Sequence, residues 1–273
     1  MKKLSVLITV VLAVFLIAGC AHYTTGSYGS SSGAGKSSAS RNNEQSSKTS
    51  SSTADQKTQA GSGTASVNQG SFEQTQQEIR AALKTAANVK LPQLVPVSGG
   101  YDISAQAQGT SSGYTVTYKQ TARPVKVNDP SLSQAETLVT LKAVTYSNDA
   151  EAGGQITFHQ YGASDGQPVD LGHRITGYEA AGAGTAGVSW NEGRWTLMAL
   201  SPTSDQEKGI SLAKNIVAYL DTYLLPVPHQ YGLIQVYTDN RKSQVMWQDG
   251  RTVYQLTDVT DPMSLVQIAV SVK

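Results

Sequence analysis

The side chains able to do covalent or metal chemistry are few. The 273 residues contain one cysteine, four histidines and three tryptophans. Cys20 is the only thiol, so no internal disulfide can form. His22, His159, His173 and His229 are scattered, and no two stand at the i, i+4 spacing with which a helix presents paired zinc ligands. A metal site would need the three downstream rings to converge from distant segments, and no spacing supports it. Serine is abundant, so a Ser/His/Asp triad is a question of geometry, not of counting. No pair of carboxylates stands out for glycosidic chemistry. Asp165, Asp170 and Glu179 fall between expected strands, where solvated acids belong, and Glu192 and Asp249 read as turn residues.

Two further matches are decoys. Gly29 to Gly33 fits the G-x-S-x-G of serine hydrolases, a motif that needs a strand before it and a helix after it. Gly35-Lys36-Ser37 looks like the end of a phosphate loop, but Ser30 stands where its first glycine belongs. Both lie in a segment with no apolar periodicity, so neither is retained. No cofactor is indicated.

Cys20 closes the most apolar run in the chain. Met1-Lys2-Lys3 is a short positive start, and residues 4–18 are apolar except for Ser5 and Thr9. The run is shorter than the ~20 residues of a membrane span and has the layout of a secretory signal. Leu16-Ile17-Ala18-Gly19-Cys20 resembles the lipobox of bacterial lipoproteins. That resemblance implies a signal peptide over 1–19, cleavage between Gly19 and Cys20, and a diacylglycerol on the Cys20 thiol. The partner is then the bilayer, on its extracytoplasmic face. Two acyl chains give a stable anchor where one is marginal. The competing reading is an ordinary signal with an incidental cysteine.

Residues 20–70 follow as lipidated cysteine and linker. They are Ser, Thr, Gly, Ala, Gln and Asn with little that is apolar, a composition expected to stay disordered. A flexible chain of about 50 residues has a mean span of ~40 Å, which keeps the folded part near the membrane. Loss of Lys2 and Lys3 with the signal takes the net charge from +1 to about −1. Without a basic stripe, nucleic acid is excluded as a partner.

Residues 71–273 are long enough for one large domain or two small ones. Ser71 with Gln74 fits a capping box, and Phe72, Ile79, Ala82, Leu83 and Ala86 share a stripe, which predicts a helix from 72 to about 88. Ser204 with Glu207 opens a second helix, with a stripe of Ile210, Ala213, Val217, Leu220 and Leu224 that Pro226 ends. Asp261-Pro262 starts a short third helix with Leu265, Val266 and Ala269 on one side. Residues 113–120, 137–147 and 155–162 read as strands.

A pattern recurs. Trp190-Asn191-Glu192-Gly193-Arg194 matches Trp247-Gln248-Asp249-Gly250-Arg251, and each is a hairpin signal. With Glu192-Gly193 as the turn, Asn191 faces Arg194 and Trp190 faces Trp195. Val188, Trp190, Trp195 and Leu197 share one face, and Val245, Trp247, Tyr254 and Leu256 another. Arg194 and Arg251 fall on the wetter face beside Asn191 and Gln248. Pro96-Val97 before Tyr101 is echoed by Pro226-Val227 before Tyr231. A divergent duplication with sub-repeats 71–203 and 204–273 explains this, and so does chance combined with ordinary turn chemistry. A third match, His-Gln-Tyr-Gly at 159 and 229, reads as accidental.

The Trp-x-acid-Gly motif, a strand and then an amphipathic helix, with Pro96 to Tyr101 before them, resembles extracytoplasmic domains of membrane-anchored proteins from Gram-positive bacteria. The resemblance covers about the last 180 residues. It implies an α+β fold, an antiparallel sheet with helices packed on one face. It brings no catalytic residues, because the family has no settled activity.

Two function classes remain. The first is a non-catalytic module that binds a cell-wall component, a peptide or a membrane protein. The second is a tethered wall-modifying or ester-cleaving enzyme. The first is favoured by anchor and tether. Trp190, Trp195 and Trp247 are its candidate ligand platform, although their alternation with Val188, Leu197, Val245 and Leu256 is a core pattern.

Overall fold

In a computed structural model the protein is described over residues 69–84, 86 and 88–273. The readings at Gly19, Cys20, His22 and the linker up to residue 68 lie outside these. The first helix, α1 (Gln69–Ala82), begins three residues earlier than expected. Ser71 is therefore inside the helix, not its cap, and its hydroxyl donates to Asp102 Oδ1 at 2.9 Å. Phe72, Thr75, Ile79 and Leu83 are buried, while Ala82 points to solvent.

Ten strands follow in one open sheet: β1 (Asp102–Thr110), β2 (Gly113–Thr121), β3 (Glu136–Thr145), β4 (Gln167–Asp170), β5 (Thr176–Gly182), β6 (Thr185–Glu192), β7 (Trp195–Pro202), β8 (Gly232–Tyr237), β9 (Gln244–Asp249) and β10 (Thr252–Thr257). Their order is β1-β2-β3-β10-β9-β8-β7-β6-β5-β4. All neighbours are antiparallel except β7 and β8, which run parallel because α3 (Gln206–Leu220) carries the chain back between them. The remaining helices are α2 (Asp149–Gly153) and α4 (Pro262–Ser271). The expected α+β class and antiparallel sheet hold.

Alternation builds the core. Ile103, Val116, Leu141, Leu256, Val245, Ile234, Leu197 and Val188 run across one face, every one buried. Onto this face pack α1 over β1, α3 over β6 and β7, and α4 over β8 to β10. Asp261 caps α4 by accepting from the Ser264 amide, with Pro262 at the first helical position, as its sequence predicts. The opposite face carries a smaller cluster of Ala152, Ile156, Leu233 and Val253 under α2. The sheet edges are blunted. Asn128 brackets β1 through Ala107 N and O, and β4 is short and contains Pro168.

Three expectations are corrected. Residues 155–162 are not a strand: the segment crosses the opposite face of the sheet without joining it. Ser204 does not cap α3, which follows a 3₁₀ turn at Thr203–Asp205 and has no side-chain cap bond. Leu224 is not on the buried stripe. The helix ends at Leu220, and Leu224 is 82% exposed.

The order helix, Pro-Val segment, strands, tryptophan hairpin, helix occurs twice. In space the first copy is divided. The strands β10-β9-β8 of the second copy stand between β1–β3 and β7–β4 of the first.

Candidate functional site

Both tryptophan hairpins form. In the first, Glu192 pairs with Trp195 and Trp190 with Leu197, so the loop is Gly193-Arg194, one residue later than expected. In the second, Asp249 pairs with Thr252 and Trp247 with Tyr254. Gly193 and Gly250 have φ of +59° and +56°, which suits a glycine in the first loop position of a type II′ turn. The faces stand as the alternation predicts. Trp190 and Trp247 are 0% exposed and Trp195 is 4%. Trp190 and Trp247 therefore present no ring to a ligand, and only Trp195 reaches an opening.

That opening is a cleft of about 420 Å³ at the tip of the first hairpin. Glu192, Arg194 and Trp195 form one wall, and the chain leaving α3, from Leu220 to Pro228, forms the other. The two walls are tied together. Arg194 Nη1 donates to Pro228 O at 3.1 Å and His229 O at 2.8 Å. Trp195 Nε1 donates to Pro226 O at 3.2 Å. Gly232 lets the Trp195 ring lie flat on β8, because a Cβ there would meet three ring carbons at 2.5 to 2.7 Å. The Glu192 carboxyl is half-buried. Burial raises its pKa above the usual glutamate value, the Trp190 indole bond opposes that, and the nearby Asp221 charge adds to the rise.

The rim is apolar and exposed. Val227 is 84% exposed, Leu224 82% and Tyr223 49%, with Tyr223 stacked on Tyr219 at 4.5 Å between ring centroids. A contiguous apolar rim over a cleft is the surface most in need of a partner. The expected stripe hid Leu224, but Leu224-Leu225-Pro226-Val227-Pro228 was a legible signal. Past the helix end, Leu225 packs against the core and Pro228 is buried, while Leu224 and Val227 stay exposed.

The polar motif residues have other roles. Asn191 accepts from Tyr161 N at 2.8 Å and donates to His159 O at 2.9 Å, pinning the 156–161 segment to the sheet. Gln248 is buried, not on a wet face, and donates to Asp149 O and Gly250 O, both at 2.8 Å. The three downstream histidines do not converge on one carboxylate. His159 pairs with Asp165 at 2.8 Å, His173 with Asp221 at 3.0 Å and His229 with Asp149 at 3.5 Å. Among the described residues no cluster of three or more such side chains is placed to hold a metal, and no helix is long and apolar enough to cross a membrane. Asp165 is held below the usual aspartate range by the His159 bond and by the Gly162 amide. Phe158, just before the first His-Gln-Tyr-Gly stretch, stacks on Tyr231 of the second at 4.4 Å between centroids.

No protein-family model, curated protein or solved structure matches this chain.

Proposed function

We propose that the protein is an extracytoplasmic binding module of a bacterial cell envelope, held at the membrane by an acylated Cys20. Its binding surface is the Glu192 cleft and its rim. One observation carries this reading. Leu224 and Val227 stand more than four-fifths exposed beside a cleft whose wall holds a half-buried carboxyl with a raised pKa. Apolar lining with a single perturbed ionisable group is the usual make-up of a binding site. The signal-like start and the Gram-positive resemblance support the location.

A hydrolase is the alternative, and the His159–Asp165 pair favours it, since a ring held by a carboxylate is half of a triad. A fluorophosphonate probe separates the two readings: covalent labelling of a serine supports the enzyme.

The direct test uses the chain from residue 20 carrying Cys20→Ser. Removal of residues 1–19 takes none of the described core, all of which lies at or beyond Phe72. Sedimentation with isolated cell walls and with lipid vesicles is compared for this chain and for Leu224→Asp. The substitution is expected to cut binding to one of these fractions at least ~tenfold, as burial of a leucine side chain implies. Equal binding by both chains in both fractions overturns the reading.

A further inference from the structure

We infer that the partner of this surface is the bilayer interface, and that the loop from Tyr223 to Pro228 enters it. This rests on the reading that Cys20 carries the anchor. Leu224 and Val227 are the deepest groups. Tyr223 and Tyr231, 49% and 37% exposed, sit at headgroup level, where tyrosine is favoured for its apolar ring and polar tip.

Shape supports a soft medium. Among the described residues the two most exposed large aliphatic side chains stand on one short loop, and Pro226 and Pro228 stiffen the backbone beside Val227. Little conformational freedom remains to be lost on insertion. Asp221 lies 3.0 Å from His173 and Asp149 3.5 Å from His229, and Glu192 lines the cleft. Arg174 and Arg194 are exposed at the same end.

The chain outside the described residues has the right length. Strand register puts the loop and Asp102 at opposite ends of the sheet, since Gly232 lies level with Trp247 and the Thr110–Gly113 turn, while Ser71 of α1 bonds to Asp102. Five strand spacings of ~4.8 Å and a strand length of ~30 Å separate Gln69 from the loop by roughly 40 Å. The 48 residues between Cys20 and Gln69 have a mean span of ~40 Å if they behave as a flexible coil. A domain tethered at Cys20 can therefore turn its far end to the bilayer. Tethering also raises the local lipid concentration, so the weak insertion of two aliphatic side chains suffices.

The test uses the chain from residue 20 with Cys20→Ser, which has no other thiol. An environment-sensitive dye is attached at Leu224→Cys or, as a control, at Asn240→Cys on the opposite end. Equimolar phosphatidylglycerol and phosphatidylcholine vesicles are added. A blue shift at 224 but not at 240 is expected, with vesicle partition reduced ~tenfold or more by Val227→Asp at an unchanged melting temperature. No shift at 224, equal shifts at both positions, or partition indifferent to Val227→Asp overturns the inference. Binding to isolated cell walls without binding to vesicles also overturns it, while leaving the proposed function standing. Fatty-acid labelling of Cys20 reports on the anchor independently of all these outcomes.

Discussion

The indole Nε1 of Trp190 donates to Glu192 Oε1 at 2.8 Å, two residues along the same strand. The second hairpin has the same layout but not the same bond. Asp249 is one methylene shorter and turns to Lys90 Nζ at 2.7 Å, and Trp247 Nε1 finds no partner among the described residues. Two similar turns therefore put their acids to different uses. In the second, the acid is a surface ion pair, a contact of little weight. In the first, it is drawn inward along the indole to the wall of the cleft.

This placement gives Glu192 a pH signature. Its folded-state pKa is raised, so the folded protein holds this proton more tightly than the unfolded chain does. The contribution to stability is fully present below the unfolded value of ~4.3 and is lost as pH rises through the folded value. Glu192→Gln keeps an oxygen acceptor for Trp190 and removes the charge. The variant is expected to melt higher than the unsubstituted protein at pH 7, with the gap closing towards pH 3.5. Paired melts across that range check it, and a gap independent of pH refutes it.

Cys20→Ser tests the anchor. Fatty-acid label is expected to be incorporated by cells expressing the unsubstituted protein and to vanish in the variant, with the protein leaving the membrane fraction or accumulating as precursor. Label retained by the variant would disprove acylation at this thiol.

The alternation of Val188, Trp190, Trp195 and Leu197 was sufficient to place the sheet's buried face, even with the turn set one residue too early. That error moves each partner by two positions, and a two-residue shift keeps every side chain on its face. The same rule misread residues 155–162. Ile156 is buried and Phe158 half-buried because the segment lies on the sheet, so its alternation records contact and not membership. The cleft was invisible for a different reason. It joins Glu192 and Arg194 to Pro226 and Pro228, more than 30 residues on, and the parallel β7–β8 pairing that brings them together leaves no local signal. The repeated amide and arginine now have a physical account. In both hairpins the amide and the arginine bond to backbone carbonyls of neighbouring segments.

Gly232→Ala probes the cleft wall. The added methyl would meet three carbons of the Trp195 ring at 2.5 to 2.7 Å, so the buried ring would have to shift. A loss of ~1–3 kcal/mol is expected, the usual effect of overpacking. Because Trp195 holds Pro226 O, the displaced ring should also loosen the loop, read as faster amide exchange over residues 223–228. A melting temperature matching the unsubstituted protein would show that the ring moves aside freely.

The two buried indoles allow a differential prediction. Truncation of Trp190 or Trp247 to alanine should cost ~3–5 kcal/mol each, as for other large buried aromatics. That is a large share of a domain's ~5–15 kcal/mol, so both variants should melt early. Phenylalanine separates the packing from the hydrogen bond. Trp247→Phe keeps most of the ring stacked on Tyr254 at 5.2 Å and removes an N–H that has no partner among the described residues. Trp190→Phe instead takes the donor away from the half-buried Glu192 carboxyl, and an ionised group left unmatched there costs ~1–3 kcal/mol. Trp190→Phe is therefore expected to be the more destabilising of the pair at pH 7. Adding Glu192→Gln should narrow the difference, since the orphaned group is then neutral. Chemical denaturation of the two single variants and the Trp190→Phe/Glu192→Gln double variant measures this coupling directly. Equal losses for the two phenylalanine variants would mean that the Trp190–Glu192 bond contributes nothing, and that the carboxyl lines the cleft for a reason unrelated to the indole.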